Sequence, residues 1–241
     1  MIRWDAGDSY AVVFSTRVGG VSEGRFASLN LGRLTGDEVD RVDENRRRLC
    51  DEVGGGLDRL ALNRQIHSDR VLRAVPGGRG NPGDGLWTDE PDLPILAFAA
   101  DCLPIALVRS DAAAPAVAVV HAGWRGLLDG VVAAGVSALD TTRTSGLRAC
   151  VGPAIGPCCY EVGSEVAEPF AAAFGRDVVQ GRKLDLRVSA DRALRANGVA
   201  EIEHVDLCTA CNPERFFSHR RTGKPRGVQG VIARVARDSV V

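Results

Sequence analysis

Apolar positions in the first half of the chain come in short runs separated by segments of a different period. YAVVFSTR (Tyr10 to Arg17) reads as a strand closed by a turn at Gly19 and Gly20. In DEVDRVDENRRRLCDEVGGG, Val39, Val42, Leu49 and Val53 recur at helical spacing, with Asp37 placed to cap the start and Gly54 the end. RLALNRQIHSDRVLRAV reads as two extended pieces around Gln65 to Asp69, and the glycine-rich PGGRGNPGDG (Pro76 to Gly85) as a flexible loop. PILAFAADCLPIALV is apolar for longer than one strand usually runs, and Asp101, Cys102 and Pro104 interrupt it, which demands a reason. AVAVV (Ala116 to Val120) is a fully apolar run of the parallel-sheet type. A Gly-x-x-Gly turn follows it, then a helix presenting Leu127, Leu128, Val131, Val132 and Leu139 on one face.

Beyond these lie a strand near LRACVG, a helix over SEVAEPFAAAF with Ser164 as its cap, and a helix around SADRALRANG ending on Gly198. The tail IEHVDLC…FFSHRR…GVQGVIARV reads as antiparallel strands. Helices and strands mix without strict alternation, so the expected class is α+β and not a doubly wound sheet. With no internal repeat or long linker, residues 1–241 are expected to form a single domain.

Charge and composition narrow the function classes. The 30 basic residues against 31 acidic ones leave a net charge of −1, so no overall field draws the chain to nucleic acid or an anionic membrane. The expected partner is small or neutral. The start MIRWDAGDSY lacks the pattern of a secretory signal, and no apolar run is long enough for a membrane span, so a cytoplasmic setting is expected. There the seven cysteines are expected as reduced thiols, ligands or nucleophiles.

The candidate chemistry sits at strand ends. His121 closes one apolar strand, Asp101 and Cys102 cut another, and His67 lies between extended pieces, in a chain with four histidines. Each taken singly is more often a packing or hydrogen-bonding residue. Two imidazoles and a thiolate suit zinc and leave a fourth tetrahedral position for water or substrate. Spacing and composition leave that reading level with an unmetallated Cys-His pair.

Six blocks go further: VFSTRVGGVSEGRFASLNLG, LNRQIHSDRV, DGLWTDEPDLPILAFAADCLPIAL, AVVHAGWRGLLDGV, VGPAIGPCCYEVG and DLCTACNPERFFSHRRTGKPRG. In this order they resemble the YfiH family, also called the laccase-domain or multicopper polyphenol oxidase family, whose members are described as purine nucleoside phosphorylases. The resemblance implies a single-domain sandwich of mixed β-sheets flanked by helices. It implies zinc on His67, Cys102 and His121, and phosphorolysis of adenosine, inosine and S-methyl-5′-thioadenosine together with adenosine deamination. The expected partners are purine nucleosides and phosphate, with the protein a monomer or homodimer. Ser68 and His219 depart from the family's usual glycine and tyrosine; His219 is expected at an exposed hairpin position.

Asp101, Cys102 and His121 are the candidate catalytic residues. Asp101 is open between acid-base work and a hydrogen bond to His67 or His121, and a bulge or turn at Leu103-Pro104 would be needed to turn it inward with Cys102. Arg17, Asn30 and Arg125 are candidates for substrate contact. Arg125 opens a helix whose free N–H groups favour an anion, and a carboxylate-paired surface arginine is its equal alternative. HRRTGKPR (His219 to Arg226) is a further candidate for phosphate or ribose contact, with a solvated hairpin the favoured reading, and Trp124 reads as a purine-stacking residue or a core plug. Cys158-Cys159 and the CxxC of Cys208 and Cys211 invite a second zinc or redox reading, but a vicinal pair is an awkward half of a four-thiolate site and Pro213 follows the CxxC at once, so buried or partly buried free thiols are the favoured reading. The rivals are an amidase-type hydrolase editing a cell-wall precursor with Cys102 as nucleophile, and a copper polyphenol oxidase. The oxidase is disfavoured because Met1 is the sole methionine and paired H-x-H motifs are missing.

Overall fold

Strands that are apolar at consecutive positions bury both faces, which calls for two sheets, each with a partner on both faces. The computed structural model describes residues 1–111, 113–139 and 146–237 and has that build. One six-stranded sheet has the order β1 (Ile2–Trp4), β2 (Tyr10–Phe14), β14 (Gln229–Val235), β7 (Ile95–Ala99), β3 (Ala61–Arg64), β5 (Arg79–Pro82). The other runs β13 (Glu201–His204), β10 (Leu147–Val151), β8 (Leu103–Arg109), β9 (Val117–Ala122), β6 (Gly85–Thr88), β4 (Val71–Arg73). A small hairpin, β11 (Val179–Gln180) and β12 (Lys183–Leu184), stands apart. Both large sheets mix parallel and antiparallel pairs.

Alternation assigns the layers. In β2, Phe14 faces the space between the sheets, where it joins Ala97 and Val231 from its own sheet and Ala106, Val119 and Cys150 from the other. Val13, one residue away, points outward with Leu96 and Ile232 onto Leu49 and Cys50 of α1 (Val39–Glu52). The outer face of the second sheet, with Ile105, Val120 and Ala149, packs on Val132 of α3 (Val131–Leu139), Phe170 of α4 (Ser164–Phe174) and Leu194 of α5 (Leu186–Ala196). The result is a helix, sheet, sheet, helix sandwich, the expected α+β class. Close approach fixes Gly152 at the end of β10, because a Cβ there would lie 2.3 Å from Phe14 Cδ1.

The break at Asp101 and Cys102 now has its reason: β7 and β8 belong to different sheets, and residues 100–102 carry the chain across. The turn precedes Leu103-Pro104, which are already in β8, and is made by Asp101 at φ 89°. Other local expectations shift. The glycine-rich segment is not a loose loop, since β5 lies inside it and pairs with β3. The helix after β9 is two, α2 (Trp124–Asp129) and α3, parted by Gly130 at φ 97°. Gly163, not Ser164, occupies the cap of α4. Helix α5 starts earlier than its periodicity suggested, at the cap Asp185, whose carboxylate accepts from the N–H groups of Arg187 and Val188. In the tail, β13 pairs parallel with β10, and His219 opens a short helix, α6 (His219–Thr222), not a hairpin.

Candidate functional site

Strands β8 and β9 run antiparallel with Pro104 opposite His121, so the residue just before β8, Cys102, meets the end of β9. His67 arrives from the loop between β3 and β4, held in the left-handed region at φ 59°, a conformation that costs a non-glycine residue energy unless its surroundings enforce it. The enforcing group is Asp84, 1% exposed. Its carboxylate accepts from the backbone N–H groups of Ile66 (3.1 Å), His67 (2.9 Å) and Ser68 (2.7 Å), and from the Ser68 hydroxyl (2.8 Å). The same carboxylate takes the His121 Nδ1 at 2.9 Å, while the His121 N–H donates to the Asp84 carbonyl at 2.7 Å.

One buried carboxylate therefore positions both imidazoles. The ligating atoms of His67, Cys102 and His121 all lie within 4.8 Å of one another, and the two rings meet edge to face with centroids 4.9 Å apart. With Nδ1 committed to Asp84, His121 turns Nε2 to the cluster, the tautomer a metal ligand needs. Gly123 seals one side, since a Cβ there would lie 2.9 Å from His67 Cδ2 and 3.2 Å from the Cys102 sulfur.

Electrostatics agree with a ligand set. Burial works to raise the Cys102 thiol, but the His121 and His67 imidazoles beside it outweigh burial and bring the thiol below its ordinary value. Burial likewise works to lower His121, and the Cys102 sulfur and Asp84 outweigh it, so His121 is raised. Burial opposes the Asp84 charge, yet its hydrogen bonds from His121 and Ser68 hold it well below the usual carboxylate range. Two imidazoles, a readily ionised thiol and a carboxylate braced behind one ring are the donor chemistry that suits a thiophilic divalent ion such as zinc.

The cluster opens on a cavity of about 290 Å³ whose wall includes Trp124, Arg125, Tyr160, His219 and Arg220. The Arg125 guanidinium lies 4.0 Å over the Trp124 ring, and that of Arg220 5.1 Å over Tyr160. Among the described residues no carboxylate forms an ion pair with Arg125. Asp101 also lines this cavity, but its carboxylate already accepts from the Thr209 hydroxyl (2.6 Å), the Ser218 hydroxyl (3.1 Å) and the Arg220 N–H (2.6 Å). It bonds neither ligand imidazole; that part belongs to Asp84 for His121.

Arg17 and Asn30 are not brought to this cavity. Arg17 donates to the Ala27 and Pro213 carbonyls and stacks over Phe217, while Asn30 is wholly buried among Thr35, Asp37 and the backbone of Gly32 and Val228. The segment read as a solvated hairpin divides. His219 and Arg220 line the cavity beside the His-Cys-His set; Lys224 and Arg226 line a second, larger one of about 610 Å³ that contains none of those three residues. Asp84 and Tyr160 escaped the sequence reading. The signal for Asp84 was an acid between two glycines just before a strand; for Tyr160 it was an aromatic directly after the cysteine pair.

Fold and site together define a four-layered α+β protein with a His-Cys-His set able to hold a metal at the mouth of a small-molecule cavity. Residues 11–236 match the family described as multi-copper polyphenol oxidoreductase laccase, and the chain belongs to that family, the same one its motifs resemble under the name YfiH. It is 36% identical over 239 residues to purine nucleoside phosphorylase YlmD of Geobacillus stearothermophilus, covering 90% of this chain and 85% of that protein. It is also 36% identical over 230 residues to purine nucleoside phosphorylase YfiH of Escherichia coli, covering 91% of each. The crystal structure of Neisseria meningitidis protein NMB0706 superposes with a TM-score of 0.86 at 31% identity, covering 98% of this chain and 99% of that one. Among the described residues no helix is long and apolar enough to cross a membrane.

Proposed function

We propose that this chain is a zinc-dependent purine nucleoside phosphorylase acting on adenosine, inosine and S-methyl-5′-thioadenosine, with adenosine deaminase activity at the same site. The observation that carries the proposal is the convergence of His67, Cys102 and His121 at a cavity walled by Trp124, Tyr160 and Arg125. The names of the relatives support the nucleoside class. Zinc held by the three side chains supplies a Lewis acid for polarising an oxygen or activating water.

In phosphorolysis a phosphate oxygen bonds to the sugar C1′ as the bond from C1′ to the purine nitrogen breaks, and the departing base keeps the electron pair and takes up a proton. Arg125 holds the phosphate, presenting a planar fork that suits two of its oxygens. Trp124 and Tyr160 flank the purine, whose flat face favours stacking. Asp101, at the wall, fixes Arg220 by accepting from its backbone N–H. His219 contributes a neutral imidazole near pH 7, because burial and the nearby Arg226 lower its pKa. In deamination, water adds at the purine C6 and ammonia leaves, so the same stacking walls serve while the phosphate pocket stays empty.

The test is direct: zinc-loaded protein with inosine and phosphate is expected to yield hypoxanthine and ribose 1-phosphate, and with adenosine alone, inosine and ammonia. Absence of both products under zinc loading would refute the proposal. One observation favours a second reading, a hydrolase with Cys102 as nucleophile: the Cys102–His121 pair is biased toward thiolate and imidazolium when no metal intervenes. Under that reading metal-free protein is active and zinc inhibits; under the phosphorylase reading removal of zinc abolishes turnover.

A further inference from the structure

Two loops beside the cavity carry the remaining chemistry. The segment after β10 contains Cys158 and Cys159, and the segment after β13 contains Cys208 and Cys211. Backbone pairing draws them together: Ala154 bridges Cys208, and the Thr209 N–H donates to the Ala154 carbonyl at 3.0 Å. All four sulfurs lie within 4.8 Å of one another; Cys211 Sγ stands 3.5 Å from Cys158 Sγ and 3.4 Å from Cys159 Sγ. Fifty residues of sequence separate the two pairs, so the fold, not local spacing, makes the cluster.

We propose that these four cysteines form a second, structural zinc site distinct from the His67, Cys102 and His121 set. A tetrahedron with metal–sulfur bonds of about 2.3 Å has sulfurs about 3.8 Å apart, and the observed spacing fits a single ion of that size. A polynuclear iron–sulfur cluster needs its thiolates spread around several irons. A disulfide would pair Cys211 with one neighbour, whereas here it stands equally close to two. The surroundings suit bound thiolates. The Gly156 N–H donates to Cys208 Sγ at 3.2 Å, and the excess negative charge of four thiolates on a divalent ion meets two cations. Lys183 Nζ donates to the Cys158 carbonyl at 3.1 Å, and Arg220 Nη1 to that of Cys159 at 3.5 Å. Cys158 and Cys211 are exposed, which gives the ion a path in.

Such an ion would act as a staple. The loop bearing Cys159 also bears Tyr160, and the loop bearing Cys208 bears Thr209, whose hydroxyl donates to Asp101. Zinc binding, loop position and cavity wall are then linked, independently of which substrate the cavity takes.

Metal content of the full chain, purified under reductant and measured by mass spectrometry, tests the proposal without reference to activity. The unmodified chain is expected to hold two zinc ions, Cys102→Ala one, and Cys102→Ala combined with Cys158→Ser and Cys211→Ser none. Cobalt-loaded Cys102→Ala protein is expected to show intense thiolate-to-metal charge transfer, lost in the triple variant. If the triple variant does not fold, Cys102→Ala decides alone; if that variant does not fold, two ions against one in the unmodified chain decides. A folded Cys102→Ala chain holding no tightly bound metal, or iron in place of zinc, or a disulfide at Cys211 would overturn the proposal.

Discussion

Asp84→Asn probes the site through a residue that touches no substrate. The side chain keeps its shape but exchanges one acceptor oxygen for a donor NH2. In the structure Oδ1 serves the His67 N–H and His121 Nδ1, while Oδ2 serves the N–H groups of Ile66 and Ser68 and the Ser68 hydroxyl. Whichever way the amide turns, two nitrogen donors face another donor. Buried donors left unsatisfied cost about 1–3 kcal/mol each, so a loss of roughly 2–6 kcal/mol is expected, or about 4–24 °C in Tm for a chain of this size. The metal effect is separate: removing a partner that orients a ligating imidazole typically costs about 10–100-fold in affinity. Zinc affinity by competition with a chromophoric chelator and Tm by calorimetry, with and without zinc, are the assays. An Asp84→Asn protein with zinc affinity within about threefold of the unmodified chain would refute the assignment of Asp84 as the organiser of both imidazoles.

Other changes separate site from scaffold. Gly123→Ala places a methyl 2.9 Å from the His67 ring and is expected to lower zinc occupancy at least tenfold at limiting metal while leaving the circular dichroism spectrum unchanged; unaltered occupancy would contradict the sealing role. Arg125→Ala is expected to raise the KM for phosphate by about tenfold or more while zinc content stays constant, the loss of a charge-assisted contact of about 1.5–3 kcal/mol; an unchanged KM would remove Arg125 from phosphate binding. Phe170→Ala, at a fully buried position between α4 and the second sheet, is expected to cost about 3–5 kcal/mol by calorimetry without changing zinc affinity. Cys50 and Cys150 are buried, and burial pushes both thiols up to about 12. Peptide mass spectrometry after iodoacetamide at pH 8 should find them unmodified in native protein and modified in urea; native labelling as fast as labelling in urea would contradict the packing.

Much of this is legible in the sequence. The apolar runs before and after Asp101-Cys102 and the run ending in His121 are strands, and the polar residues at their ends do converge. The period of Val39 to Val53 located α1, and Gly54 ends it at φ 69°. What stayed hidden depends on long-range pairing. Nothing local says that β7 and β8 lie in different sheets, although the chain between them is only residues 100–102. Asp84 sits in a glycine-rich stretch that looks like solvent-exposed loop, and only the pairing of β5 with β3 and β6 with β9 buries it. His219 reaches the cavity because Ser218 caps a short helix there. Each cysteine pair on its own favours free thiols over a second zinc, and only the bridge between Ala154 and Cys208 aligns their loops.

Anomalous diffraction at the zinc edge from crystals grown with zinc tests the central claim most directly. The prediction is an ion bonded at about 2.0–2.3 Å to nitrogens of His67 and His121 and to the Cys102 sulfur, with its remaining position facing the cavity. No density between these three side chains, or an ion held there without Cys102, would contradict it.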